Sequence, residues 1–140
     1  MLKFDIALQQ QLISAVLDDF SANDCLPSLH GGQYGDTPTI WRDAVIEFLG
    51  DSLAAGLIAP LTSGDGYASK TPQHICDMLR LGDLSNGLDA ELVWDVIHFS
   101  GTEKLVTMMR DLGLATWEAR SASLSPALKT ALTQLRLVGD

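Results

Sequence analysis

Apolar residues recur along this chain at three- and four-residue intervals, the period of amphipathic helices. In residues 3–20, Phe4, Leu8, Leu12, Val16 and Phe20 fall at every fourth position, and Ile6, Ile13 and Leu17 widen the stripe. So wide a face predicts a helix packed against more than one neighbour, with Gln9, Gln10, Asp18 and Asp19 turned to water. Residues 37–60 hold the clearest division of faces. Trp41, Ala44, Val45, Phe48 and Leu49 line one side, while Asp43, Glu47 and Asp51 recur at four-residue intervals on another, with Asp36 just before the start. The spacing predicts a helix over 39–57, capped by Thr37 or Asp36, with Pro38 in its first position and Gly56 as its stop.

Four further helices follow from the same reading. Thr71 and Pro72 open one that runs to Leu81 and ends at Gly82; after a turn over 83–88, Asp89 caps the next. That helix places Leu92, Val93, Val96, Ile97 and Phe99 inside and Glu91 and Asp95 outside, with Trp94 straddling its edge. Ser100-Gly101-Thr102-Glu103 matches a capping box ahead of a helix that buries Leu105, Val106, Met109 and Leu112 and closes at Gly113. Ser125 and Pro126 open a last helix carrying Leu128, Leu132 and Leu135. Residues 21–38 read as a long loop, in which His30 and Tyr34 beside Gly31, Gly32 and Gly35 form a candidate contact surface. Residues 57–70 admit a small β-hairpin around Ser63-Gly64-Asp65-Gly66, with Pro60 confining any strand there to a sheet edge. The pattern as a whole predicts an all-α fold, a compact single-domain bundle of about five or six helices spanning residues 1–140.

Composition adds a charge to this picture. With 46% apolar residues and a mean hydropathy of +0.15 the chain can build a core, and 9 Lys plus Arg against 18 Asp plus Glu leave a net charge of −9. Such a surface repels nucleic-acid backbones and anionic membranes but favours a basic partner. The N-terminal run lacks the apolar region of a signal peptide, and no stretch approaches the roughly 20 apolar residues of a membrane span, so a cytoplasmic protein is expected. Cys25 and Cys76 then read as buried thiols.

The search for chemistry is mostly exclusion. His30, His74, His98, Cys25 and Cys76 show no metal-ligand spacing, and Gly64-Asp65-Gly66 is neither a phosphate loop nor a dinucleotide fingerprint, so no metal and no cofactor is expected. No nucleophile elbow is present, and the pairs Asp43/Glu47, Glu47/Asp51 and Glu91/Asp95 lie on helix faces that ordinarily meet solvent. An enzyme is not expected. One local rule is nevertheless broken. Like charges four residues apart on a helix cost a few tenths of a kcal/mol per pair, and Asp43, Glu47 and Asp51 make two such steps in series with no intervening Lys.

An acidic ridge of this kind suits a basic cleft on a partner, because complementary potentials speed encounter and exclude wrong partners. With Asp36, Asp43, Glu47 and Asp51 as one patch and Glu91 and Asp95 as a second, the chain resembles in general character the small acidic immunity proteins of bacterial toxin–immunity pairs. That resemblance implies an inhibitor that neutralises a basic toxin domain acting in the cytoplasm, with Trp94 as an aromatic anchor within the acidic rim. The alternative is a helical regulatory or adaptor protein, winged-helix-like with residues 57–70 as the wing, that binds a protein through an apolar groove. Asp43, Glu47, Asp51 and Asp77 would make such a domain repel DNA.

Overall fold

The computed structural model describes residues 1–61 and 66–139. Among them are the α-helices α1 Ile6–Leu17, α2 Pro38–Ala54, α3 Pro72–Leu81, α4 Ala90–Val96, α5 Glu103–Asp111 and α6 Pro126–Gln134. Three short strands, β1 Phe20–Ser21, β2 Ile58–Pro60 and β3 His98–Gly101, lie between them. The fold is mostly helical but not all-α. The strands form one antiparallel sheet in the order β1-β3-β2, with Phe20 opposite Phe99 and Ala59 opposite Ser100.

The expected hairpin within 57–70 is corrected by this sheet. Its first half is β2, but β2 pairs with β3, and Tyr67–Ser69 is a 3₁₀ turn; residues 62–65 lie outside the described residues. Pro60 does sit on an edge strand, where its missing N–H costs no ladder bond. The same pairing shortens the helix expected to run through Phe99. It ends at Val96, so Ile97 and Phe99 are buried from extended backbone, while Leu92 and Val96 are exposed. Strands of two to four residues are too short to show a period of two, which is why the sequence pattern reads them as helix or loop.

Helix starts follow local chemistry closely. Asp5, Thr71, Asp89 and Ser125 each accept a hydrogen bond from the backbone N–H three residues on, at 2.9–3.1 Å. The capping box is displaced by two residues: Ser100 belongs to β3, and Thr102 is the cap, its hydroxyl oxygen 3.3 Å from the Leu105 N–H. Thr37 precedes α2 without a side-chain cap bond.

One buried cluster draws side chains from all six helices and the sheet. At its centre the Trp41 and Trp94 rings lie 5.5 Å apart between centroids, and both are at most 1% exposed. Each indole N–H must find an acceptor when buried. Trp41 donates to the Cys25 and Leu26 carbonyls at 3.0 and 3.1 Å, and Trp94 donates to the Leu79 carbonyl at 2.8 Å. The glutamines of α1, Gln9 and Gln10 among them expected to face water, are also structural. Gln9 is fully buried, donating to the Ser123 carbonyl and accepting from the Ser125 N–H; the buried Gln11 accepts from the Leu26 N–H at 2.7 Å, and Gln10 donates to the Arg120 carbonyl. These side chains clip two irregular segments onto α1, and they hold the 21–38 loop in a defined path.

Where α2 and α3 cross, Gly50 faces Cys76 so closely that a Cβ on residue 50 would lie 2.9 Å from the Cys76 sulfur. Gly to Ala inside a helix ordinarily gains up to about 1 kcal/mol. Here Gly50→Ala is expected to destabilise by about 1–2 kcal/mol through overpacking, and to become stabilising in a Cys76→Ala background. Urea unfolding of the four variants measures this, and the same sign in both backgrounds would refute the contact.

The turn after α3 is built on Asp83, 8% exposed, which receives hydrogen bonds from Asn86 Nδ2 at 2.8 Å, Ser85 Oγ at 3.1 Å and Tyr67 Oη at 3.2 Å. The Asn86 bond, with those from Ser85 and Tyr67 and the charge of Lys70, holds its carboxyl below the usual carboxylate range against the opposing effect of burial. A lowered folded pKa contributes stability above the unfolded value of about 3.9, and that stability is lost as pH falls through the folded value. Asp83→Asn should therefore be less stable than the parent at neutral pH, with the difference narrowing below about pH 4. Thermal melts across that range check the sign.

Candidate protein-binding face

α2 turns its apolar side, Trp41, Val45, Phe48 and Leu49, into the core, and the fourfold spacing then leaves the carboxylates outward. Asp43 and Glu47 are exposed and Asp51 is half-buried. α3 packs alongside, and the two helices enclose an open cleft of about 620 Å³. Asp43, Glu47 and Asp51 line its α2 wall, Gln73 and Arg80 its α3 wall, and the buried Ile46 and Cys76 its base. Asp77, also on α3, accepts a hydrogen bond from Gln73 Nε2 at 2.8 Å.

Among the described residues no Lys or Arg lies within ion-pair distance of a carboxylate, and His98 Nδ1 lies 3.3 Å from an Asp19 carboxylate oxygen. Asp43, Glu47 and Asp51 thus have no cation within ion-pair distance among those residues, although nine Lys and Arg are available in the chain. Two of these cations are engaged elsewhere. The Arg42 guanidinium lies 4.2 Å from the Trp94 ring centroid, and Lys104 Nζ donates to the Ala55 carbonyl at 2.7 Å.

Cys76 does not turn the cleft into a nucleophilic site. Burial pushes its thiol up, and Asp77 and Asp51 add to that shift against the opposing charge of Arg80, so the thiolate is disfavoured. Among the described residues no group of three or more His, Cys, Asp or Glu is placed to hold a metal ion.

The remaining residues singled out in the sequence are distributed elsewhere. Asp36 is exposed in the bend before α2 and does not line the cleft. Glu91 and Asp95 lie on α4, beside a separate recess of about 280 Å³ that shares no lining residue with the α2/α3 cleft. Asp95 there accepts a hydrogen bond from Asn23, and Arg42 lines the same recess with its guanidinium over Trp94. Trp94 corrects the expectation of an aromatic anchor: it is 0% exposed, because pairing with Trp41 and donation to Leu79 draw it inward and Arg42 covers its face. The exposed aromatics are instead Tyr34, at 91%, and Trp117, at 54%.

Glu47 also borders a second depression, on the other side of the ridge. This pocket of about 200 Å³ is lined by Leu2, Leu8, Leu26, Leu29 and Phe48, with Lys3, Asp5 and His30 at its margin. Sequence periodicity does not reveal it, because it is assembled from the N-terminal segment, α1, the 21–38 loop and α2. The one signal was His30, in a glycine-rich loop marked as a contact surface.

No protein-family model matches the chain, and neither a curated protein nor a solved structure gives a significant match. No helix among the described residues is long and apolar enough to cross a membrane.

Glu47→Lys converts both like-charge steps of the ridge into attractive ones. It is expected to stabilise the free protein by about 0.5–1 kcal/mol at low ionic strength, and raising the salt to about 1 M should remove most of that gain. Paired melts at low and high salt measure it; a neutral or destabilising effect at low salt would show that the ridge carries no repulsion.

Proposed function

We propose that this protein is a binding domain whose α2/α3 face docks against a basic site on a protein partner, as an immunity-type inhibitor neutralises a toxin domain acting in the cytoplasm. The observation that supports this reading is the ridge Asp43, Glu47 and Asp51: three carboxylates on the wall of one open cleft, with no ion-pair partner among the described residues. Like charges kept in series at a cost to the helix are better accounted for by a partner than by folding. Arg80 on the opposite wall gives the cleft a polarity, so a docking basic group is directed toward α2. The net charge of −9 disfavours nucleic acid and anionic lipid as partners on the same physical ground.

The experiment is a binding measurement with the product of the neighbouring gene, repeated across ionic strength. Affinity is expected to fall steeply as salt rises from about 0.05 to 0.5 M, mainly through a slower on-rate. Asp43→Lys combined with Glu47→Lys should weaken binding by about tenfold or more. Binding that ignores both salt and the double substitution rules out the ridge as the contact.

A further inference from the structure

The acidic ridge has an apolar hole beside it. The pocket formed by Leu2, Leu8, Leu26, Leu29 and Phe48 opens next to Glu47, so this one carboxylate borders both the pocket and the α2/α3 cleft. Two features show that the wall of the pocket is fixed in shape. Leu26 adopts a φ of +49°, a left-handed conformation disfavoured for a residue with a Cβ. Leu26 is held there by the bond from its N–H to buried Gln11 and by the Trp41 indole on its carbonyl. A recess held open by buried hydrogen bonds is preorganised and loses little on occupation.

We propose that this pocket is the anchor site for an apolar side chain of the basic partner, a leucine-sized residue flanked in its own sequence by Lys or Arg. The inference rests on the reading of the ridge as a docking face. The apolar residue enters between α1, α2 and the 21–38 loop, and a flanking cation lies on the α2 side, against Glu47 and toward Asp43 and Asp51 in the adjoining cleft. On the opposite margin Asp5 caps α1 and Lys3 supplies a positive charge, so the attraction comes from the α2 side alone. The volume of about 200 Å³ suits one aliphatic side chain rather than a folded segment. Glu47 selects a cation beside that side chain on the α2 side, while Lys3 disfavours one at the opposite margin. This combination, a desolvated anchor inside a charged rim, is how a small contact concentrates binding energy.

Two synthetic peptides separate the parts of this scheme: Lys-Lys-Leu-Lys-Lys and Lys-Lys-Ser-Lys-Lys, each titrated into the ¹⁵N-labelled protein at millimolar concentration and low salt. Both should shift the amide resonances of Asp43, Glu47 and Asp51. Only the leucine peptide should also shift Leu8, Leu26, Leu29 and Phe48, and it should bind about tenfold tighter, the scale set by burying one leucine side chain. Ala44→Phe, which fills the pocket from half-buried Ala44 without changing charge, should bring the two peptides to within about twofold of each other. Equal affinities and identical shift maps on the unaltered protein overturn the anchor while leaving the ridge in place. If neither peptide shifts the ridge amides, the anchor and the docking face fall together.

Discussion

The contact on which the rest of this structure depends is the buried pair of indoles, Trp41 from α2 and Trp94 from α4. Two tryptophans bring a large apolar area into the core, but each also brings an N–H that cannot be left without an acceptor. The three acceptors are the carbonyls of Cys25 and Leu26 in the loop after β1 and of Leu79 in α3. One tilted pair of rings therefore ties α2, α3, α4 and the long loop together and fixes the rotation of α2 about its axis. With Trp41 inward, Asp43, Glu47 and Asp51 have to face out, with the α3 cleft on one side and the apolar pocket on the other.

Polar residues complete what the indoles begin. Gln9 and Gln11 replace water with backbone partners far away in sequence, and each bond holds a segment that has no regular structure of its own. Asp83 does the same for the turn after α3, gathering Ser85, Asn86 and Tyr67 around one carboxylate. Buried polar groups satisfied in this way specify a path for the chain more sharply than apolar contacts do. The left-handed Leu26 is held in place by that specification.

The distribution of charge is as selective as the packing. Arg42 is used against an aromatic face and Lys104 against the C-terminal end of α2, where a cation also meets the helix dipole favourably. Neither is placed to neutralise the ridge. The three carboxylates of α2 thus keep their charge without a cation in ion-pair reach among the described residues, and Glu47 sits where their ridge meets the apolar pocket. Electrostatic steering and an apolar anchor act at different stages of association, the first on encounter and the second on residence.

The sequence by itself determined the helices, because their signals are local. Caps at Asp89 and Ser125, Pro38, Pro72 and Pro126 in first helical positions, and the apolar stripe of α2 all act within one or two turns. It also determined the acidic ridge, Asp43, Glu47 and Asp51 at four-residue spacing on a single helix. What only the tertiary structure decided are features assembled from distant segments. β3 pairs with strands about 40 and 80 positions earlier, so Ser100 became a strand residue and Thr102 the cap. Trp94 lay beside Asp95 on the edge of a predicted stripe, and its burial was set by Trp41 and Leu79, which no local pattern brings near. Gln9 and Gln10 of α1 read as a solvent face because polarity is local information, whereas the carbonyls and N–H group that satisfy them are supplied by the folded chain.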